Sequence, residues 1–289
     1  MMQPTTQPIL CCLGDKVAGQ PTQFMLERAI AATQLDWRVI TVEVAQDDLP
    51  AAITGMRVMR FSAARFFPAL QPLALTLLAA DDAWLQFIGG VTSATLTDSV
   101  WQPWHHEGAA IRQWAGGQVD FSKTLCWLHG DSLRCRSFLA ALPDSPLPQA
   151  IVWSTPAADI PPSLQRIAVG NASRVVECLT ADALSRVKEL LSAADGPNSV
   201  LLVGDDSLVD VAPRPLPDAL PQQSLMPRWL LVGGKALSQR FARWELPVEA
   251  HLRDGELTVA CEAYDFRRWT AHAVETGILR DAYDEFCAF

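Results

Sequence analysis

The sequence predicts an α/β protein of two domains, each built on a largely parallel sheet. Three observations lead there. Short strand-like runs alternate with helix-like runs along most of the 289 residues, the pattern of strands joined through covering helices. Many of the strand-like runs are continuously apolar, as expected of strands buried on both faces. A glycine-bearing seam, Ala115-Gly116-Gly117-Gln118-Val119-Asp120, separates one strand-helix series from a second. The split is therefore placed near residue 117.

In the first series, residues 9–13 read as a strand and 21–35 as a helix, with Phe24, Leu26, Ile30 and Ala31 forming an apolar stripe. Residues 37–44 are β-branched and strand-like. Asp47 is the expected N-cap of a helix over 49–59, because its carboxylate can accept an orphan backbone N–H. Residues 60–67 are a third strand, closed by Pro68, and 91–97 a fourth; 107–114 read as a helix. In the second series, 124–129 is a strand and 132–142 a helix. Residues 150–154 and 174–179 are short buried strands. Thr180 is the expected cap of a helix over 181–194, and 199–203 and 229–232 are further strands. The proline-dense stretch 211–218 reads as a loop, and helical runs over 257–270 and 271–286 close the chain.

Composition narrows the function. Hydrophobic residues make up 49% and charged residues 19%, which suits a core-forming protein. A net charge of −9 argues against nucleic acid as partner, where a basic face must displace counterions. The first residues lack the basic start of a secretory signal, and the greasiest run, 66–80, is broken by Pro68, Gln71 and Pro72 and is too short for a bilayer. No membrane partner is expected. The seven cysteines show no metal-ligand spacing and mostly lie in apolar runs, so buried reduced thiols in a cytoplasmic protein are expected. His105 and His106 are adjacent, cannot share a face, and have no third ligand spaced to join them, so no metal is expected.

Five landmarks carry the functional reading. They are Gly14-Asp15-Lys16-Val17-Ala18-Gly19-Gln20-Pro21-Thr22 after the first strand, Ala64-Arg65-Phe66-Phe67-Pro68-Ala69-Leu70, Ile88-Gly89-Gly90-Val91-Thr92-Ser93, His105-His106-Glu107-Gly108, and Gly130-Asp131-Ser132-Leu133-Arg134-Cys135-Arg136 after the strand at 124–129. Their order and spacing resemble those of the shikimate dehydrogenases, and the resemblance covers nearly the whole chain. It implies a substrate domain over 1–117, a Rossmann-like nucleotide domain over 118–270, and a C-terminal segment, 271–289, returning to the first domain. It also implies NADP as cofactor and a small carboxylic acid as ligand, in a monomer or homodimer.

The chemical groups depart from that pattern. Gln20 and Thr22 stand where the family has two serines that bind the substrate carboxylate; they are equally placed to cap the helix at Pro21. Leu70 stands where the family has a proton-relaying lysine, and no lysine occurs between Lys16 and Lys123. Arg65 is the nearest cation, but a guanidinium does not shuttle protons. General acid–base help is worth about 10²–10⁴ in rate. Thr92 replaces a substrate-binding asparagine. Glu107 stands for the aspartate that pairs with the lysine, and is the candidate catalytic residue, although a carboxylate is also favoured in a first helical turn. Gly130 keeps the first glycine of the nucleotide loop, while Ser132 and Leu133 fill the later glycine positions and Asp131 adds negative charge where a pyrophosphate would approach. Arg134 and Arg136 read as a solvated helix face. Trp153-Ser154-Thr155 lacks the arginine that grips the NADP 2′-phosphate in the family. Glu262 matches a substrate-binding glutamine, and Phe266 and Trp269, spaced i, i+3, read as core.

This joint replacement leads to a diverged, shikimate dehydrogenase-like protein without normal NADP-dependent oxidoreduction of shikimate and 3-dehydroshikimate. The alternatives are an active NAD(P)-dependent dehydrogenase of a related cyclic hydroxy acid, of shikimate or quinate type, and an enzyme of altered chemistry that uses Glu107 and Arg65.

Overall fold

In the computed structural model, residues 7–144, 146–154, 166–169, 172–179, 183–204, 227–235, 239 and 248–288 are described. The expected cap Thr180, the proline-dense stretch 211–218 and Thr155 lie outside them. The chain forms two units, one of Met1–His106 with Thr258–Phe289, the other of Glu107–Leu257. The divide thus falls between His106 and Glu107, ahead of the Gly116-Gly117 seam, and the chain rejoins the first unit at Thr258 rather than at 271.

The first unit contains β1 (Ile9–Gly14), α1 (Thr22–Thr33), β2 (Arg38–Glu43), α2 (Leu49–Val58), β3 (Ala63–Phe66), α3 (Gln71–Leu78), α4 (Ala83–Ile88), β4 (Ser93–Thr97) and β5 (Val100–Trp104). Its sheet has the order β2-β1-β3-β4-β5. β2, β1 and β3 are parallel, as expected, but β4 and β5 run antiparallel. The pairing of β5 against β4 has a local reason. Asp98 and Ser99 adopt φ of 50° and 65° between Thr97 and Val100, a two-residue turn with the twist of a hairpin. The sequence reading left out β5 because this turn carries no glycine.

Two predicted caps are corrected. The first turn of α1 begins at Pro21 with no side-chain cap, so neither Gln20 nor Thr22 caps it. A short 3₁₀ turn over Gln46–Asp48 precedes α2, and its N-cap is Asp48, again without a side-chain bond, so Asp47 does not serve. One face of the sheet is covered by α1, by α8 (Asp254–Thr270) from Thr258 onward and by α9 (Thr276–Cys287). Leu10, Met25, Leu26, Val39, Phe266, Trp269 and Leu279 meet in that core, so Phe266 and Trp269 are the packing residues expected.

The second unit contains α5 (Glu107–Gly116), β6 (Thr124–His129), α6 (Leu133–Ala141), β7 (Ala150–Ser154), β8 (Arg166–Val169), β9 (Ala172–Leu179), α7 (Ala183–Ser192), β10 (Ser199–Gly204), β11 (Arg228–Val232) and β12 (Val248–Leu252). The strand order is β12-β11-β10-β6-β7-β9-β8. All neighbours are parallel except β8 on β9. Without β8 this is the Rossmann order, whose reversal lies between β6 and β10. Leu125, Trp127, Val152, Val200, Leu202, Trp229 and Leu231 build its core.

Candidate functional site

The first unit carries a row of side chains that crosses its whole sheet. Thr41, Cys12, Arg65, Ser93 and Trp104 occupy one register line across the five strands. Directly paired residues share a face of a sheet, so the row lies on the side covered by α8. From α8, Glu262 and Asp265, three residues apart on one helical face, reach the row. Both are fully buried.

Asp265 is richly bonded. Ser93 Oγ donates to Oδ2 at 2.6 Å, Trp104 Nε1 to Oδ1 at 2.7 Å, and His106 Nδ1 to Oδ2 at 2.6 Å. The Arg65 guanidinium lies 3.6 Å away. Glu262 is poorly bonded. Oε1 accepts from Thr22 Oγ1 and from Arg65 Nη2, each at 3.2 Å, while Oε2 is buried with no hydrogen-bond partner. Arg65 Nη1 lies 2.9 and 3.0 Å from the two ring nitrogens of His106. With Nδ1 committed to Asp265, Nε2 is the nitrogen left to accept.

These bonds assign the charges. Two buried carboxylates share one arginine, and like charges so close cannot both ionise without cost. The better-solvated member keeps its charge. Asp265, with several donors, is the anion. Burial opposes its charge, but His106, Arg65 and Ser93 outweigh burial and hold its carboxyl below the usual range. Glu262 is the member whose charge is disfavoured: burial pushes its carboxyl up, Arg65 opposes the rise and Asp265 adds to it. Burial, His106 and Arg65 push His105 down to about 3, so it is neutral.

The structure brings together some of the residues that the sequence singled out, and separates others. Thr22 and Glu262 are bonded to each other in the network. Thr92 stands beside it, but its hydroxyl donates to the Trp104 carbonyl and accepts the His106 N–H, so it is occupied by the backbone. Gln20 is exposed and takes no part in the network. Leu70 is 0% exposed, a core residue without chemistry. Asp265 and Ser93 were not singled out as site residues. Asp265 lies within the helical run that contains Glu262, and its spacing from Glu262 was the available signal.

Glu107 belongs to the second unit, in the first turn of α5. Its carboxylate accepts from Arg134 Nε at 2.8 Å. Arg134 also donates to Gly204 O at 3.2 Å and to Asp254 at 3.1 Å. This corrects the solvated-face reading of Arg134, whose side chain is only 17% exposed. Arg136 folds back onto Asp131 through two bonds of 2.7 Å.

The nucleotide loop is occupied by its own bonds. Gly130 makes the tight turn at φ 97°, as expected. Its N–H goes to Ser154 O at 2.8 Å and its carbonyl accepts the Trp153 indole at 2.6 Å. Ser132 is the N-cap of α6, taking the Cys135 N–H at 3.3 Å. Leu133, at the first helical position, is 43% exposed and stands where backbone would approach a phosphate. The Cys135 thiol faces the carbonyls of His129 and Val203 at the ends of β6 and β10. A pyrophosphate needs free N–H groups and positive potential at this helix start. At this helix start the described residues offer the capped Cys135 N–H, the exposed Leu133 side chain and three carboxylates held by arginines, Asp131 by Arg136 and Glu107 and Asp254 by Arg134.

No family model matches the chain, and no curated protein matches it. Solved structures do. The shikimate 5-dehydrogenase of Thermus thermophilus in complex with shikimate aligns with a TM-score of 0.66 at 15% identity, over 98% of this chain and 100% of that one. The shikimate 5-dehydrogenase of Listeria monocytogenes in complex with shikimate and NAD aligns with a TM-score of 0.68 at 12% identity, over 97% and 98%. The 5-ketofructose reductase of Gluconobacter sp. strain CHM43 aligns with a TM-score of 0.69 at 13% identity, over 98% and 99%. The chain therefore has the two-domain fold of the shikimate dehydrogenases, including their Rossmann-like domain.

Proposed function

We propose that this chain is a diverged, shikimate dehydrogenase-like protein that does not carry out NADP-dependent oxidation of shikimate or reduction of 3-dehydroshikimate. The observation that carries this reading is the buried side-chain network in the first unit, which pairs Arg65 with Asp265 and Glu262. Of the four positions that the resemblance assigns to substrate, Thr22, Thr92 and Glu262 are engaged with the protein itself, while Gln20 is exposed. Arg65, the cation among them, is matched by Asp265. A carboxylate ligand reaching Arg65 would meet a cation already matched by Asp265, with the Glu262 carboxyl beside it. Leu70 supplies no proton in place of the lysine.

The reading with altered chemistry at Glu107 and Arg65 is weakened by the same bonds, since each of these groups is held by a partner in its own unit. The fold alone leaves the ligand open, because it also serves a 5-ketofructose reductase. The buried cysteines Cys11, Cys12, Cys126, Cys135 and Cys261, none of them in a disulfide, suit the cytoplasmic setting expected from the sequence. No described helix is long and apolar enough to cross a membrane.

The test is direct. NADPH titrated against tryptophan fluorescence should give no saturable quenching in the micromolar range, although Trp127 and Trp153 bond to the loop residues Ser154 and Gly130 and would report binding. Shikimate with NADP should give no product above background. Saturable quenching together with turnover would overturn the proposal.

A further inference from the structure

Arg134 stands where the strand order of the seven-stranded sheet reverses. It lies in the first turn of α6, directly after β6, and bonds to the carbonyl of Gly204, the last residue of β10. Gly204 is paired with His129, the last residue of β6. The guanidinium therefore sits at the carboxyl ends of the two strands that flank the reversal, where open α/β sheets receive their ligands.

The chemistry of that place is inverted. A phosphate-binding switch point offers donors. Here three acceptors converge on one cation: Glu107 Oε1 at 2.8 Å from Nε, Asp254 Oδ1 at 3.1 Å from Nη2 and Gly204 O at 3.2 Å from Nη1. Each nitrogen of the guanidinium has its own oxygen, which the planar fork of arginine allows and a lysine ammonium does not. We propose that the switch point of the second unit is a cation site, a cage of two carboxylates and one carbonyl selective for a guanidinium group, with the chain's own Arg134 as its occupant. Burial works against the charge, but Glu107 and Asp254 outweigh it and hold Arg134 above its ordinary pKa. The cage also accounts for Glu107, which serves here as a ligand of Arg134.

This inference rests on the second unit and goes beyond the proposed function, which rests on the first. Its test is chemical rescue. Arg134→Ala empties the cage and should lower Tm by about 4 °C. Millimolar methylguanidinium chloride should restore at least half of that loss. Sodium chloride at the same ionic strength should restore none, and the wild type should not respond to methylguanidinium. An alanine variant that melts like the wild type, or rescue no better than sodium chloride, overturns the cage. Should the alanine variant fail to fold, Arg134→Lys decides. It keeps the charge without the fork, so a Tm below that of the wild type supports the proposal and an unchanged Tm overturns it. Failed rescue in a protein that still ignores NADPH would sink the cage alone, whereas NADP-linked turnover of shikimate would sink the proposed function.

Discussion

Asp265→Ala is expected to destabilise the protein by about 3–5 kcal/mol, the cost of breaking a buried ion pair and stranding its partner. The change removes the acceptor of Ser93, Trp104 and His106 together with the counter-charge of Arg65. The second carboxyl can soften the loss. Once Asp265 is gone, Glu262 is the remaining acid beside Arg65 and should ionise. Combining Asp265→Ala with Glu262→Gln blocks that response and leaves a buried guanidinium with no anion. The double variant should therefore lose about 1–3 kcal/mol more than the sum of the single ones. Denaturant unfolding of the four proteins measures this. Additive losses would show that the two carboxyls do not share the arginine.

The second large effect lies at Gly108. A Cβ built there would meet the Ser137 carbonyl oxygen at 1.9 Å and its carbon at 2.2 Å. These are backbone atoms, so no rotamer change relieves the contact. Gly108 N–H also donates to Ser137 Oγ at 2.6 Å, which ties α5 to α6 at their crossing. Gly108→Ala should cost about 3 kcal/mol or more through overpacking. Ser137→Ala, which removes only a hydrogen bond, should cost about 1 kcal/mol. A glycine variant no worse than the serine variant would show that the helices separate easily. The resemblance placed Gly108 beside a catalytic carboxylate. The structure gives it a different reason to be glycine, the close approach of two helices.

Much of the fold was legible because its signals are local. The run 124–129 and its apolar neighbours at 150–154, 199–203 and 229–232 became adjacent strands of one parallel sheet. The hairpin of β4 and β5 was missed because Asp98-Ser99 takes left-handed φ without glycine. The predicted caps at Asp47, Gln20 and Thr22 failed because capping depends on side-chain geometry within an ångström or so, which composition does not carry.

The site was legible only by position. Thr22 and Glu262 were singled out one by one, but nothing in their spacing, 240 residues apart, says that they bond to each other. Arg65 read as an isolated cation. Its counter-ion Asp265 comes from a helix at the far end of the chain, and the pairing depends on the register that aligns Cys12, Arg65, Ser93 and Trp104. Long-range register of this kind has no local sequence signature.

The account turns on Glu262, bonded to Thr22 and Arg65 in the buried network and holding its proton more tightly than a free carboxyl. The sign of its pH dependence follows from its raised pKa. A carboxyl that holds its proton in the folded state adds stability below its ordinary value of 4.5, and loses it as pH rises toward the folded value. Asp265, held low, acts only at the acid end, where stability falls as it is protonated. The deciding measurement is Tm against pH from 5 upward for the wild type and Glu262→Gln, whose amide mimics the protonated acid. The wild type should fall relative to the variant by up to about 1.4 kcal/mol per pH unit until Glu262 ionises. Parallel curves, or a wild type that gains on the variant as pH rises, would mean that Glu262 is an anion held by Arg65 and would contradict this account.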